Sequence, residues 1–550
     1  MASSTVGVRQ KLQHLGEAVR AAKRLVETGI LDLKDLRGTL RGAKLVQVYG
    51  PQATMTIQGG HRFPDLPAVV DEHGTVTYGQ VDEQSWALAH ALRSLGVVEG
   101  SVVGVLCRDH RGLIIAMAAC GKLGARVVLM NTGFAKPQFA QVCEREKVTV
   151  VLHDSEFVGL LDALPPELPR VLTWVDDGVE LPAGAHTLDE LVAANPTDPL
   201  PPPSRPGGSV ILTSGTTGMP KGAPRDTVSP LATAQIIDRI PFPRKGTMVI
   251  VSPIFHSTGW ATYTVGAALG NKIVTARRFN AENTVRMIAE HRADMLVAVP
   301  TMLHRMVELD AATLAKYDTS SLRVILIAGS ALSPELSERV QGTFGDVLYN
   351  MYGSTECAIA TVAQPAELRA APGTAGRAPV TCEVVLYDDN DRRIAGANRP
   401  GRIFVRNGAP FQGYTDGRGK QIIDGYMSSG DMGHFDDNGL LFIDGRDDDM
   451  IVSGGENVFP QEVENLLEEH EDVAEVAVVG VDDVEFGKRL RAFVVPEPGV
   501  APDAAQIKQY VKDNLARHKV PRDVVFIDEL PRNATGKLLR RVLVEKDVDG

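Results

Sequence analysis

From about residue 75 onward, apolar runs of strand length alternate with stretches of helical period, and no other feature narrows the fold as far. Residues 101–106 (SVVGVL), 126–130 (RVVLM) and 148–152 (VTVVL) read as strands, with helices predicted over 111–123 and 136–145. Strands separated by helices cannot pair as tight hairpins; they need crossovers, which argues for a mainly parallel sheet covered by helices. The stretch 195–208 holds six prolines and reads as a loop leading to a second alternating region. Its predicted strands are 209–213, 248–252, 295–299 and 322–327, with helices over 281–292, 301–309 and 334–344. From about 373 to 445, Gly and Asp turns separate short strands (383–387, 402–405, 440–443), as in a small β subdomain. After 448, helices near 460–470 and 503–517 and strands at 473–479 and 490–495 suggest a separate small domain. The expected class is α/β: a large N-terminal domain of helix-covered, mainly parallel sheets with a β subdomain, then a small mobile α+β C-terminal domain.

A chain of 550 residues exceeds one ordinary domain, and 44% hydrophobic with 23% charged residues is an ordinary globular mixture. The expected divisions are a helical extension over 1–50, a large domain over 51–447 and a small one over 448–550. Cys107, Cys120, Cys143, Cys357 and Cys382 are odd in number and form no C-x-x-C pair. Neither a disulfide framework nor a zinc ribbon is indicated, and a reducing, cytoplasmic setting is expected. The net charge of −12 gives nucleic acid no global attraction. No signal-peptide core and no run of spanning length is seen.

Residues 1–45 are the exception, with nine Lys/Arg against four Asp/Glu. Leu12, Leu15, Val19, Ala22 and Val26 recur at helical spacing, with Arg20, Lys23 and Arg24 elsewhere on the surface. A helix docked on the body of the protein is the first expectation; peripheral contact with an anionic membrane is the second.

The sharpest local feature is TSGTTGMPKG, residues 213–222, directly after a predicted strand. Glycines admit an anion close to the backbone, hydroxyls donate to phosphate oxygens, and Lys221 adds charge. It is not a Walker loop, because Lys221 follows Pro220 and precedes Gly222. The segment resembles the phosphate loop of the adenylate-forming superfamily, which includes acyl-CoA synthetases, aryl-CoA ligases, luciferases and peptide-synthetase adenylation domains. AGSAL (328–332), YGSTE (352–356), SGD (429–431), GRDDDMIVSGGENV (445–458) and PRNATGK (531–537) follow in the family's order. The similarity covers roughly 60–545 and is greatest to fatty-acyl-CoA synthetases.

The resemblance implies two half-reactions that use ATP, Mg²⁺ and CoA. A carboxylate attacks the α-phosphorus of ATP, giving acyl-AMP and pyrophosphate; the CoA thiol then attacks the acyl carbon and expels AMP. It implies that Thr213, Ser214, Gly215, Thr216, Thr217, Gly218 and Lys221 hold phosphates. Thr355 would meet the α-phosphate, and Glu356 the metal ion. Gly329, Ser330, Ala331, Tyr352 and Gly353 would surround adenine, though the family often has glycine where Ser330 stands. Asp431, assisted by Arg446, would take the ribose. Lys537 would bridge the carboxylate and α-phosphate oxygens. Asp448 matches the family's hinge, and Gly454 and Gly455 would pass pantetheine. In PIFHSTGW (253–260), His256 stands where amino-acid-activating relatives carry aspartate, which favours an uncharged acyl tail. Trp260 stands where some long-chain relatives have an aromatic gate, and small Ala328 and Gly329 leave room for a chain.

A medium- or long-chain fatty acid–CoA ligase is therefore expected. A fatty acyl-AMP ligase, a carrier-protein acylating enzyme and an aryl or short-chain acid ligase are the nearest alternatives. A nucleotide or fatty-acid sensor on the same fold is the alternative without catalysis, and the presence of both Glu356 and Lys537 argues against it.

Overall fold

The computed structural model describes residues 16–181, 184–213, 220–225, 230–408, 411–447, 451–453, 456–483, 487–515, 519–533 and 536–545. Two large sheets carry most of the chain. The first has seven strands in the spatial order His186–Thr187, Arg170–Trp174, Val150–Asp154, Val102–Leu106, Arg126–Leu129, Ser209–Thr213, Lys221–Arg225. All its pairings are parallel except the last, a hairpin closed by the phosphate-loop segment. The second has eight strands, and its centre is the parallel set Lys272–Val274, Thr247–Ile250, Met295–Ala298, Val324–Ile327 and Leu348–Ser354.

This allocation corrects one expectation. Ser209–Thr213 pairs with Arg126–Leu129 in the first sheet and does not open the second. Its Val/Ile-rich run is of the kind that fits either sheet, and pairing, not sequence order, assigns it. The second sheet is in turn extended by Pro67–Asp71 and Gly74–Thr77, which precede the whole first sheet in the chain.

Helix Arg111–Lys122 is buried from Gly112 to its end. A helix apolar all round must have partners on every side, and this one has both sheets. One cluster joins Val103, Val105 and Leu129 of the first sheet to Met248, Ile250, Val297 and Leu326 of the second. Alternate residues face outward to separate cores: Val151 and Val210 meet Phe139 and Val142, while Val249 and Leu296 meet Ile288 and Leu303.

The third sheet is antiparallel: Glu383–Tyr387, Gly401–Arg406, Tyr426–Phe435 and Leu441–Arg446, with a short strand Ile422–Ile423. The C-terminal segment is built on the long hairpin Val473–Asp483/Gly487–Pro496, with helices Pro460–Glu468 and Ala504–Asn514 on one core. All five cysteines are buried free thiols.

At the N-terminus the chain is helical over 16–28 and docked, but on a different face from the expected one. Ala21 and Leu25 are buried and Arg24 reaches Asp238 at 2.8 Å, whereas Val19 is 61% exposed. Leu12 and Leu15 lie outside the described residues. A second helix, Leu36–Arg62, runs across residue 50, kinked at Gly50–Pro51; its buried residues begin at the kink.

Candidate active site

The sheets converge where their strands end. The strand Leu348–Ser354 turns sharply into Ala358–Ala363, and YGSTE forms the tip. A Cβ on Gly353 would lie 1.9 Å from the Ala358 carbonyl oxygen, so only glycine admits this approach. Ala358 itself takes a positive φ of 52°, and the ladder shifts register between Tyr352 and Gly353. The Ser354 hydroxyl accepts from the Glu356 and Cys357 amides at 3.2 and 3.1 Å, which fixes the tip.

Three bodies meet at that tip. From the first sheet, Arg225 donates to the Thr355 carbonyl. Lys221 places its ammonium 5.0 Å from the centre of the Tyr414 ring, and the Tyr414 hydroxyl donates to Glu356 at 2.5 Å. The loop bearing Tyr414 is held to the same hairpin, because Thr415 donates to the Gly222 carbonyl at 2.9 Å and to Glu146 at 2.7 Å. From the third sheet, Asp431 accepts from the Tyr352 hydroxyl at 2.6 Å and lies 3.5 Å from Arg446, its cross-strand neighbour. From the acyl segment, Ser257 stands 3.3 Å from the Thr355 hydroxyl. Thr213, Lys221, Tyr352, Thr355, Glu356, Asp431, Arg446 and His256 thus share one neighbourhood. Ser214, Gly215, Thr216, Thr217, Gly218, Asp448, Gly454 and Gly455 lie outside the described residues.

The electrostatics separate the two carboxylates. Burial works against the charge of Glu356, but the Tyr414 hydroxyl and the Lys420 ammonium outweigh it and hold the carboxyl below its ordinary range. Asp431 is pushed up by burial despite the Tyr352 hydroxyl, Arg446 and Lys420. An ionised, hard oxygen donor at Glu356 fits Mg²⁺. Desolvation drives His256 down to about 4, so it is neutral at physiological pH. His256 Nε2 and Trp260 Nε1, one turn apart, are buried and have no hydrogen-bond partner among the described residues. Tyr414, Arg225 and Lys420 were not foreseen; none stands in a motif, and long-range pairing alone brings them in.

The segment 328–332, expected to wall the adenine, follows Val324–Ile327. Gly329 takes φ +99°, with Val299 its nearest neighbour at 3.8 Å, and Ser330 and Ala331 are exposed. Ala328 is buried beneath. Two residues beyond Val299, Thr301 receives the C-terminal loop: a Cβ on Gly536 would lie 2.3 Å from the Thr301 hydroxyl. Lys537 follows, exposed, its amide donating to Asn533 at 2.9 Å. The loop that carries Lys537 therefore rests beside the wall.

A strand hairpin carrying Lys221, a polar tip and a docked C-terminal segment stand together at this site. The chain belongs to the AMP-binding enzyme family: its model matches residues 58–415, and the model of the AMP-binding enzyme C-terminal domain matches 462–537. The protein is an acyl-CoA synthetase of the adenylate-forming superfamily, and the CoA ligases of that superfamily use ATP, Mg²⁺ and CoA. It is 35% identical over 489 residues to an indoleacetate–CoA ligase of Aromatoleum aromaticum, covering 86% of this chain and 94% of that one. It is 30% identical over 506 residues to a fatty acid–[acyl-carrier-protein] ligase of Streptomyces coeruleorubidus, covering 88% and 94%. Among solved structures, the o-succinylbenzoate CoA synthetase of Bacillus subtilis with its acyl-adenylate aligns with a TM-score of 0.76 at 26% identity, over 90% of this chain and 98% of that one.

Proposed function

We propose that the protein activates an apolar aromatic acid, of aryl or arylalkanoic type, as its adenylate and transfers it to CoA. The observation that carries this reading is the packing of Trp260. Its side chain is 7% exposed and belongs to the same core cluster as Ile254, Phe255 and Tyr263. At the position where some long-chain relatives have an aromatic gate, the indole is packed into the core, which supports a compact ring over an extended chain. The similarity to an indoleacetate–CoA ligase points the same way. A fatty acid is the second reading, supported by the fatty-acid-activating relative and by small Ala328 beneath the wall.

In this reading Thr213, Lys221 and the loop between them hold the β- and γ-phosphates, Thr355 meets the α-phosphate, and Glu356 takes Mg²⁺. Tyr352 faces adenine, and Asp431 with Arg446 takes the ribose. Neutral His256 sits at the carboxylate end without adding charge. Lys537 stabilises the charge that develops during adenylation, an electrostatic role.

The test is acid-dependent pyrophosphate release across acetate, hexanoate, dodecanoate, benzoate, phenylacetate and indoleacetate. The aromatic acids should lead in kcat/KM, and Trp260→Ala should move the profile toward dodecanoate. At about 0.8 kcal/mol per buried methylene, opening space for three carbons should raise dodecanoate efficiency by up to about fiftyfold. A parent enzyme that prefers dodecanoate over every aromatic acid would establish the second reading instead. CoA-dependent thioester yield, compared with acylation of a carrier protein, checks the acceptor.

A further inference from the structure

The helix over 16–28 buries one face, but the turn and helix that follow expose theirs. Leu33, Leu36 and Leu40 are 63%, 56% and 69% exposed. Leu36 and Leu40, four residues apart, share one ridge of the helix, and Leu33 stands in the turn before it. Arg37 and Arg41, one position beyond Leu36 and Leu40, continue to Lys44 three residues on as an adjacent stripe, and all three are exposed. None of these three side chains makes a hydrogen bond or ion pair among the described residues. No acidic residue occurs between Asp35 and Asp65, although the whole protein carries −12. Beside the stripe, Arg37 and Arg41 share a cleft of about 480 Å³ with His61, Arg62, Asp35 and Phe63.

Water is a poor solvent for a leucine ridge, and an unpaired basic stripe seeks negative charge. A second copy of this chain would cover the leucines but would press identical cations together. A surface that is apolar within and negative at its boundary satisfies both stripes. We propose that this face of the extension docks the enzyme on anionic lipid, with the leucines in the headgroup–acyl boundary and the cations among lipid phosphates. Apolar acids partition into such a surface, so docking would place the enzyme where its acid substrates accumulate. The proposal does not depend on which apolar acid is used.

The experiment is sedimentation of the full chain with vesicles of phosphatidylcholine, with and without about 30% phosphatidylglycerol. Binding should require the anionic lipid and weaken with salt. Arg37→Gln/Arg41→Gln/Lys44→Gln should lower the partition coefficient by about tenfold or more, since each cation near such a surface contributes about a factor of five. Leu36→Ser/Leu40→Ser should lower it comparably. Both variants should keep the parent's rate on water-soluble acids, which shows that they are folded. Binding equal to the parent's in either variant, equal binding to neutral vesicles, or no binding at all would overturn the proposal. So would a dimer that the leucine variant dissolves.

Discussion

Asp109 is 6% exposed, and its carboxylate accepts the Ile254 amide at 2.9 Å, two residues before His256. It thereby ties the end of a strand in the first sheet to the acyl segment beside the second. Burial pushes its pKa up to about 7; the Ile254 amide and Arg108 pull it down, and Asp154 pushes it up. The folded protein therefore binds a proton here that the unfolded chain has released. Stability from this group is full below the unfolded value near 4 and declines as pH rises toward about 7. Asn at this position keeps the acceptor but cannot ionise, and its buried amide donor costs about 1–3 kcal/mol if unpaired. Asp109→Asn should thus be less stable than the parent at pH 5, and the gap should close or reverse at pH 8. Thermal midpoints of both proteins at the two pH values check this; a difference independent of pH removes the ionisation from the account.

Elements show what could be read in advance and what could not. Strands such as Val102–Leu106 and Val324–Ile327 were legible as short continuous apolar runs, buried on both faces, and helices such as Ala281–His291 as a single buried face of helical period. The sequence pattern could not sort strands between two sheets. It also stopped the expected helical extension at residue 50, whereas Leu36–Arg62 continues across the Gly50–Pro51 kink and there packs against helices Tyr78–Ser94 and Arg111–Lys122. Motifs brought the site residues to notice, but Tyr414 and Arg225 carry no periodic or spacing signal; only the meeting of three sheets makes them neighbours of Glu356 and Thr355. Two glycines test the local physics. Gly353→Ala forces a carbon against the Ala358 carbonyl at 1.9 Å, so the hairpin tip must shift. A loss of about 2–3 kcal/mol, with a large fall in pyrophosphate release, is expected. Gly342 lies in helix Pro334–Phe344, and nothing stands within 4 Å of the added carbon. Gly342→Ala should stabilise by about 0.5–1 kcal/mol and leave activity unchanged. Denaturant unfolding of the pair measures both signs.

At the scale of the whole molecule, the C-terminal segment must serve two half-reactions at one site. In the structure, Gly536 packs on Thr301 beside the adenine wall, and burial raises the Glu468 carboxyl to about 7, where Ser333 and His304 of the large domain only partly offset it. This docking face holds the loop of Lys537 beside Thr301, the arrangement that the proposed role of Lys537 in adenylation requires. The 453–458 loop, some eighty residues before Lys537, would enter by rotation at Asp448, which lies outside the described residues. A side chain at 536 cannot share the space of the Thr301 hydroxyl, and φ +75° there disfavours any residue but glycine. Gly536→Val should therefore behave like Lys537→Ala: adenylation falls steeply, yet thioester forms from supplied acyl-AMP. Asp448→Pro, with φ fixed and a donor removed, should do the reverse, forming acyl-AMP without passing it to CoA. Pyrophosphate exchange and acyl-CoA yield from synthetic acyl-AMP read the halves separately. If all three folded variants lost both halves in parallel, a single rotating domain would not be the device that divides them.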